Sequence, residues 1–426
     1  MRVFLYCLVL LSPAVFSIEN HTKLPDPLTL EFALSLAEED HPDLVAINHA
    51  VSIAKSQIAI AKSKNGIQVR AQARARWIDP PSAVERFGRE DHQGTLFADK
   101  TIYDFGRTSN QIDAMKNQEA IEELRLQQVK QHRRIEIMQA FLDVVLSDLN
   151  YIRDNEAMTM GFLRYDRAKE RQELGQLSEV DVLEKENIYY EYRKVRYQSE
   201  SLQRLLRSQF SIVVNRPNEI ISRFQIPMMG YDKYKLIDVK SLQKAAEINN
   251  YDLKIIRLSL DALRSQLQSV RANRHPVISA EVEGGVYERN MGSNDRWRAG
   301  LVLDVPLYQG GKISGQVAEL RARIKEMENK HYQLKIKINQ EILTHWLNIE
   351  SLAAQKASSS KRYDYSELYL DRARAVYEME VKSDLGDAMV QLSQASLQAA
   401  ETDFEIAMRW EKLRVLTQMT LEEMRQ

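Results

Sequence analysis

The sequence predicts a mainly α-helical chain carrying a β-barrel portion: one unit of long antiparallel coiled-coil helices and two strands, written twice to give four strands. Three observations predict it. Proline, which costs about 3 kcal/mol inside a helix, is absent from the 135 residues between Pro81 and Pro217 and from the 120 after Pro306. The stretches that follow these two gaps' opening strands repeat each other: "TIYDFGR" (101–107) answers "PLYQGGK" (306–312), and "DRAK" (166–169) answers "DRAR" (371–374) at the same offset of 205. Finally, short segments alternate apolar and polar residues with period two, as in "IQVRAQARARW" (67–77), which is the signature of a strand with one face in apolar surroundings.

The chain opens with "MRVFLYCLVLLSPAVFSIEN", a basic start, an apolar run and small residues. This reads as a signal peptide over residues 1–17. The only cysteine, Cys7, lies within it, so the mature chain is expected to hold no disulfide and no thiolate metal site. The 59 basic and 60 acidic residues nearly cancel, so no global field advertises a nucleic-acid partner. No run of 18 or more consecutive apolar residues follows the signal, so an exported chain of this kind is expected either to be soluble outside the inner membrane or to cross a membrane as a closed β-barrel.

The first repeat is expected over 18–213. It starts with an amphipathic helix over about 28–64, continues with strands over about 66–77 and 93–103, and ends in a long helical hairpin over 105–213 that turns at Gly175. Within that hairpin Ile135, Met138, Phe141, Leu142, Val145, Leu149 and Ile152 recur at three and four residues, an apolar helical stripe. Residues 214–237 connect the copies. The second repeat, 238–426, repeats the order: a helix over about 238–273, strands over about 276–287 and 296–308, and a hairpin over 312–420. Gly106, Gly310 and Gly311 mark the strand-end turns.

In the strands Trp297, Ala299, Leu301 and Leu303 alternate with Arg298, Gly300, Val302 and Asp304; Leu96, Ala98 and Ile102 alternate with residues that include Asp99, and Lys100 interrupts the apolar side. Such alternation suits a barrel wall between lipid and a polar lumen, and equally a soluble half-buried sheet; export and duplication favour the barrel. Four strands are too few to close one, since a minimal barrel takes about eight, so several chains must share it. Arg70, Arg74, Arg76, Asp99, Arg298 and Asp304 would then line the lumen, either selecting among ions or simply solvated. Trp77, Tyr287 and Trp297 fit an interfacial girdle or ordinary packing. The histidines show no tight ligand spacing, "YQGGKISG" lacks the first glycine of a phosphate loop, and neither enzyme chemistry, a cofactor nor a metal is expected.

At these residues the chain resembles the TolC-like outer-membrane efflux proteins. The matching stretches are "LTLEFALSLAEEDHPDL" (28–44), the turns "YDFGR" and "YQGGK", and "ELGQLSEVDVLEKEN" (173–187). The resemblance implies a homotrimer with a twelve-stranded barrel in outer-membrane lipid and an α-helical tunnel through the periplasm, docked on a periplasmic adaptor protein and an inner-membrane transporter. It implies a passive export duct of a tripartite efflux or type I secretion system. It also implies a gate at the helical tips, where Asp181 would be held by Tyr377 and Lys382, with Asp384 and Asp387 as candidates for an acidic ring. At the second tip Glu380 stands where a glycine is expected, with a glycine later, at Gly386. The alternative reading is a soluble periplasmic coiled-coil scaffold or adaptor protein.

Overall fold

The computed structural model describes residues 24–39, 41–79, 89–231, 234–288, 295–379 and 384–425. The expected signal peptide lies outside the described residues, as do Glu380 and Lys382 at the second tip.

The leading helix of each copy is interrupted, where a continuous one was expected. In the first copy α1 (Leu30–Ser35) passes through a single 3-10 turn and stops; α2 (Pro42–Ser63) restarts with His41 as its N-cap and Pro42 in its first turn. Proline suits that position because it has no N–H to leave unpaired there. In the second copy α5 (Val239–Asn249) ends at Asn250, whose side chain then accepts hydrogen bonds from the N–H groups of Asp252 and Leu253 and so starts α6 (Tyr251–Ala272). The stretch Leu30–Ser63 is long and apolar enough on average to resemble a spanning helix. Here it is broken, and Leu44, Val51, Ala54, Ile58 and Ala61 are buried as α2 packs on the next long helix.

Strands β1 (Gln68–Arg74), β2 (Gln93–Tyr103), β3 (Val277–Tyr287) and β4 (Trp297–Asp304) form one antiparallel sheet in the order β1-β2-β3-β4. The first and last are shorter than the alternation suggested. Arg76 and Trp77 lie past the end of β1, where Trp77 makes only an isolated bridge to Glu90, and Pro306 lies past the end of β4, as a residue without an N–H must.

The long helices α3 (Arg107–Glu173) and α7 (Lys312–Glu378) are each 67 residues, and α4 (Glu179–Val213) and α8 (Leu385–Thr417) return from them. Near the sheet, α2, α3, α6 and α7 pack side by side in the order of the strands they join. Beyond the middle, α4 packs on α3, α3 on α8 and α8 on α7.

Two apolar clusters fill the middle. Phe141, Phe210 and Phe224 meet edge to face with ring centres 5.2 to 6.2 Å apart, together with Met138, Leu142 and Val145 of the predicted stripe and with Ile137 beside it. Trp410, Leu413, Leu242 and Ile342 form the second. Helix α8 serves both, and the connector is tied in by isolated bridges from Phe224, near its middle, to Leu28 and from Leu236, at its end, to Arg425.

Candidate functional site: a two-faced sheet and a helical tip

The sheet register decides which side chains share a face, because directly paired residues point the same way. Arg70 pairs with Phe97, Phe97 with Glu283 and Glu283 with Arg298; Gln68 pairs with Asp99, Asp99 with Glu281 and Glu281 with Gly300. Arg74 and Asp304 fall on this same polar face, opposite Gln93 and Val277. The other face holds Val69, Ala71, Leu96, Ala98, Ala280, Val282, Ala299, Leu301 and Leu303. Lys100, paired with Ala280, is its one cation among the described residues. Leu301 is 76% exposed and Trp297 72%, so the apolar face is uncovered in a single chain.

On the polar face a concavity of about 330 Å³ is lined by Arg70, Asp99, Glu281, Glu283 and Arg298. Arg298 forms an ion pair with Glu283, and the Arg70 guanidinium stands 5.0 Å from the centre of the Phe97 ring. Arg76, outside the strand, forms an ion pair with Asp91. Glu281 and Glu283 belong to this face although the sequence reading named neither; their alternation in "SAEVEGG" was the available signal.

Each strand-to-helix corner uses two consecutive left-handed residues: Phe105 and Gly106 (φ 52° and 84°) before α3, Gly310 and Gly311 (φ 56° and 78°) before α7. Phe105 takes a conformation glycine adopts freely, at a cost of about 1–2 kcal/mol; its ring is stacked on His275 and edge-on to Tyr103.

At the first tip Gly175 (φ 71°) ends α3, with its N–H donating to the Gln172 carbonyl and that of Gln176 to the Arg171 carbonyl, both at 2.8 Å. Ser178 then caps α4 in a reciprocal box with Asp181. The Ser178 hydroxyl and N–H donate to the Asp181 carboxylate at 2.7 and 3.1 Å, and the Asp181 N–H donates back at 3.3 Å. These bonds hold the Asp181 carboxyl below the usual aspartate range.

Asp181, Asp384 and Asp387 line one cavity of about 500 Å³ between the two hairpins, together with Arg164, Arg167, Arg171 and Lys185. Asp387 forms an ion pair with Arg164 across it, joining α8 to α3. The Met160 side chain packs directly on Gly386, where a Cβ would lie 2.0 Å from its sulfur and would displace it. Tyr377, in the last turn of α7, is 60% exposed and has no hydrogen bond to Asp181 among the described residues of one chain. Sequence reading missed Arg164, which lies 223 residues from its partner. Gly386 in the first turn of a helix, where glycine costs about 1 kcal/mol against alanine, was the signal for a close contact.

A sheet polar on one side and apolar on the other, carried on two 67-residue helices, fits the fold that the resemblance to outer-membrane channels implies. Comparison with known proteins agrees. Residues 242–417 match the outer membrane efflux protein family. Among solved structures, the outer-membrane channel CmeC of Campylobacter jejuni superposes with a TM-score of 0.75 at 14% identity over 91% of this chain and 85% of that one. The outer membrane protein VceC of Vibrio cholerae gives 0.70 at 15% identity, covering 91% and 94%. CusC, described as forming a transmembrane channel, gives 0.73 at 13% identity, covering 94% and 95%. A sequence search of curated proteins gives no match. The resemblance to TolC-like outer-membrane efflux proteins is thereby borne out: the second repeat matches the family, and the whole described chain shares the channel fold.

Proposed function

We propose that this protein is the trimeric exit duct of a tripartite efflux or type I secretion system, spanning the outer membrane and reaching through the periplasm. The observation that carries this reading is the two-faced sheet with unpaired edges on β1 and β4. An open edge presents unmet N–H and C=O groups, which lipid cannot satisfy; pairing β1 of one chain with β4 of the next removes both edges, and three chains supply a closed barrel. A periplasmic adaptor and an inner-membrane transporter would drive transport, the duct itself being passive.

The tips are read as its gate. Arg164 and Asp387 hold the two hairpins of one chain together. Asp181 keeps lone pairs beyond those used by Ser178, and Tyr377 and Lys382 are the proposed partners from a neighbouring chain. Asp384 and Asp387, repeated by symmetry, would form an acidic entrance.

Light scattering on protein extracted from the outer-membrane fraction, corrected for detergent, tests the assembly: the expected mass is that of three chains. Recovery as a periplasmic monomer without detergent would instead establish the scaffold reading. For the gate, Asp387→Asn is expected to raise single-channel conductance in planar bilayers, and conductance equal to wild type would remove the Arg164–Asp387 pair from the closing mechanism.

A further inference from the structure

We propose that the junction between sheet and helices is a collar for anionic phospholipid headgroups of the leaflet on the helix side of the barrel; this rests on the outer-membrane reading above. Six cations stand at that junction: Lys62 and Lys64 at the end of α2, Lys100 on β2, Arg107 at the start of α3, Arg274 just past α6 and Lys312 at the start of α7. All are exposed. The helices are laced with ion pairs such as Arg125–Glu122 and Arg323–Glu319, yet none of these six has one among the described residues. Lys64 donates to Gln111 at 2.8 Å and Arg274 to Ser314 at 3.3 Å, both neutral. The nearby Asp104 carboxylate accepts from the Thr108 N–H at 2.8 Å.

Two of the six are set against the local field. Arg107 and Lys312 are the first residues of α3 and α7, and neither helix has an acidic residue in its first turn. A helix N-terminus disfavours cations. Both copies of the repeat nonetheless place one there; at α3 the Asp104 carboxylate offsets part of that field by accepting from the Thr108 N–H, and at α7 no side chain caps the first turn.

The order of groups along the sheet says which anion. The apolar face ends in a fringe of exposed Tyr103, Leu307 and Tyr308, the last two 93% and 88% exposed, and the cations follow at once. Aromatic groups favour the membrane interface, and headgroup phosphates lie just beyond it. Lys100 shares the apolar face with Ala98 and Leu96, so its stem runs along acyl chains while its ammonium reaches the interface. Basic clusters bordering a membrane segment attract anionic lipid. An acidic protein partner would account for the charges but not for their continuity with the apolar band.

The full-length complex, reconstituted in phosphatidylethanolamine vesicles containing a minor fraction of phosphatidylglycerol and re-extracted in mild detergent, is analysed by native mass spectrometry for retained lipid. Phosphatidylglycerol is expected to be enriched about threefold or more over its bulk fraction at low salt, and to approach that fraction at about 0.5 M salt, where screening is short-ranged. Replacing Lys100, Arg107, Arg274 and Lys312 together by glutamine is expected to abolish the enrichment while leaving phosphatidylethanolamine retention unchanged. Retention at the bulk ratio by wild type, or an enrichment indifferent to salt, overturns the collar even if the variant fails to assemble. Enrichment undiminished in an assembled variant overturns it as well. A protein that never enters the bilayer, and is stripped by a carbonate wash, removes the outer-membrane reading itself; an inserted protein with bulk lipid removes only the collar.

Discussion

The middle of the molecule and its sheet are built on opposite terms. In the middle, side chains from both copies close on one another: Trp410 is 1% exposed, Phe141 and Leu413 are fully covered, and buried Glu411 accepts from Arg134 at 3.1 Å and from Arg414 at 2.7 and 2.9 Å. In the sheet every residue of β1 and β4 is exposed. A single chain therefore completes its own waist and leaves its sheet uncovered.

That contrast can be broken most sharply at the waist. Trp410→Ala is expected to cost about 3–5 kcal/mol, the range for emptying a large aromatic site, and to lower the thermal midpoint of the helical signal; a loss under about 1 kcal/mol would mean the waist is not the stabilising region. Leu301→Arg should act on the wall alone. It is expected to disfavour the inserted state by about 2–4 kcal/mol if the residue lies near the bilayer midplane, seen as reduced outer-membrane yield, while the purified chain's helical content stays at the wild-type level. Equal outer-membrane yield would place that face away from lipid.

Smaller effects belong to the tip. Ser178→Ala is expected to cost about 1 kcal/mol of local helix stability, visible as faster amide exchange in the first turn of α4 and unchanged exchange at Trp410. The Asp181 carboxyl is held below its unfolded value by Ser178, so its contribution to the cap is present above the usual aspartate pKa of 3.8 and lost as pH falls through the lower, folded value. Protection in that turn, taken relative to the base-catalysed intrinsic exchange rate at each pH, should fall on acidification in wild type, and far less in Asp181→Asn.

What could be read in the sequence followed its periodicities. The strand alternation gave the right face for the paired sheet residues named, because a period of two leaves no freedom once one face is assigned; Ile102 is the exception, since the register of β2 shifts between Thr101 and Tyr103 and Tyr103 takes the place opposite Ile278. Both long helices were visible as proline-free stretches. The breaks at His41 and Asn250 were not read, although a proline after a capping residue and an asparagine two residues ahead of an aspartate carry that information. The Arg164–Asp387 pair had no local trace: contacts between separate hairpins depend on how the two rods lie together, which spacing within either one does not encode.

The equal length of α3 and α7 has one further consequence. At 1.5 Å per residue each of these 67-residue helices measures about 100 Å, and both leave the sheet at corresponding two-residue corners. Reach is thus a quantity the chain holds in duplicate. A heptad deleted from one hairpin alone would shorten one leg of every pair and leave the mouth oblique, whereas the same deletion made in both would draw the mouth evenly toward the membrane by about 10 Å. On the proposed duct reading, adjustment to a wider or narrower periplasm takes paired changes.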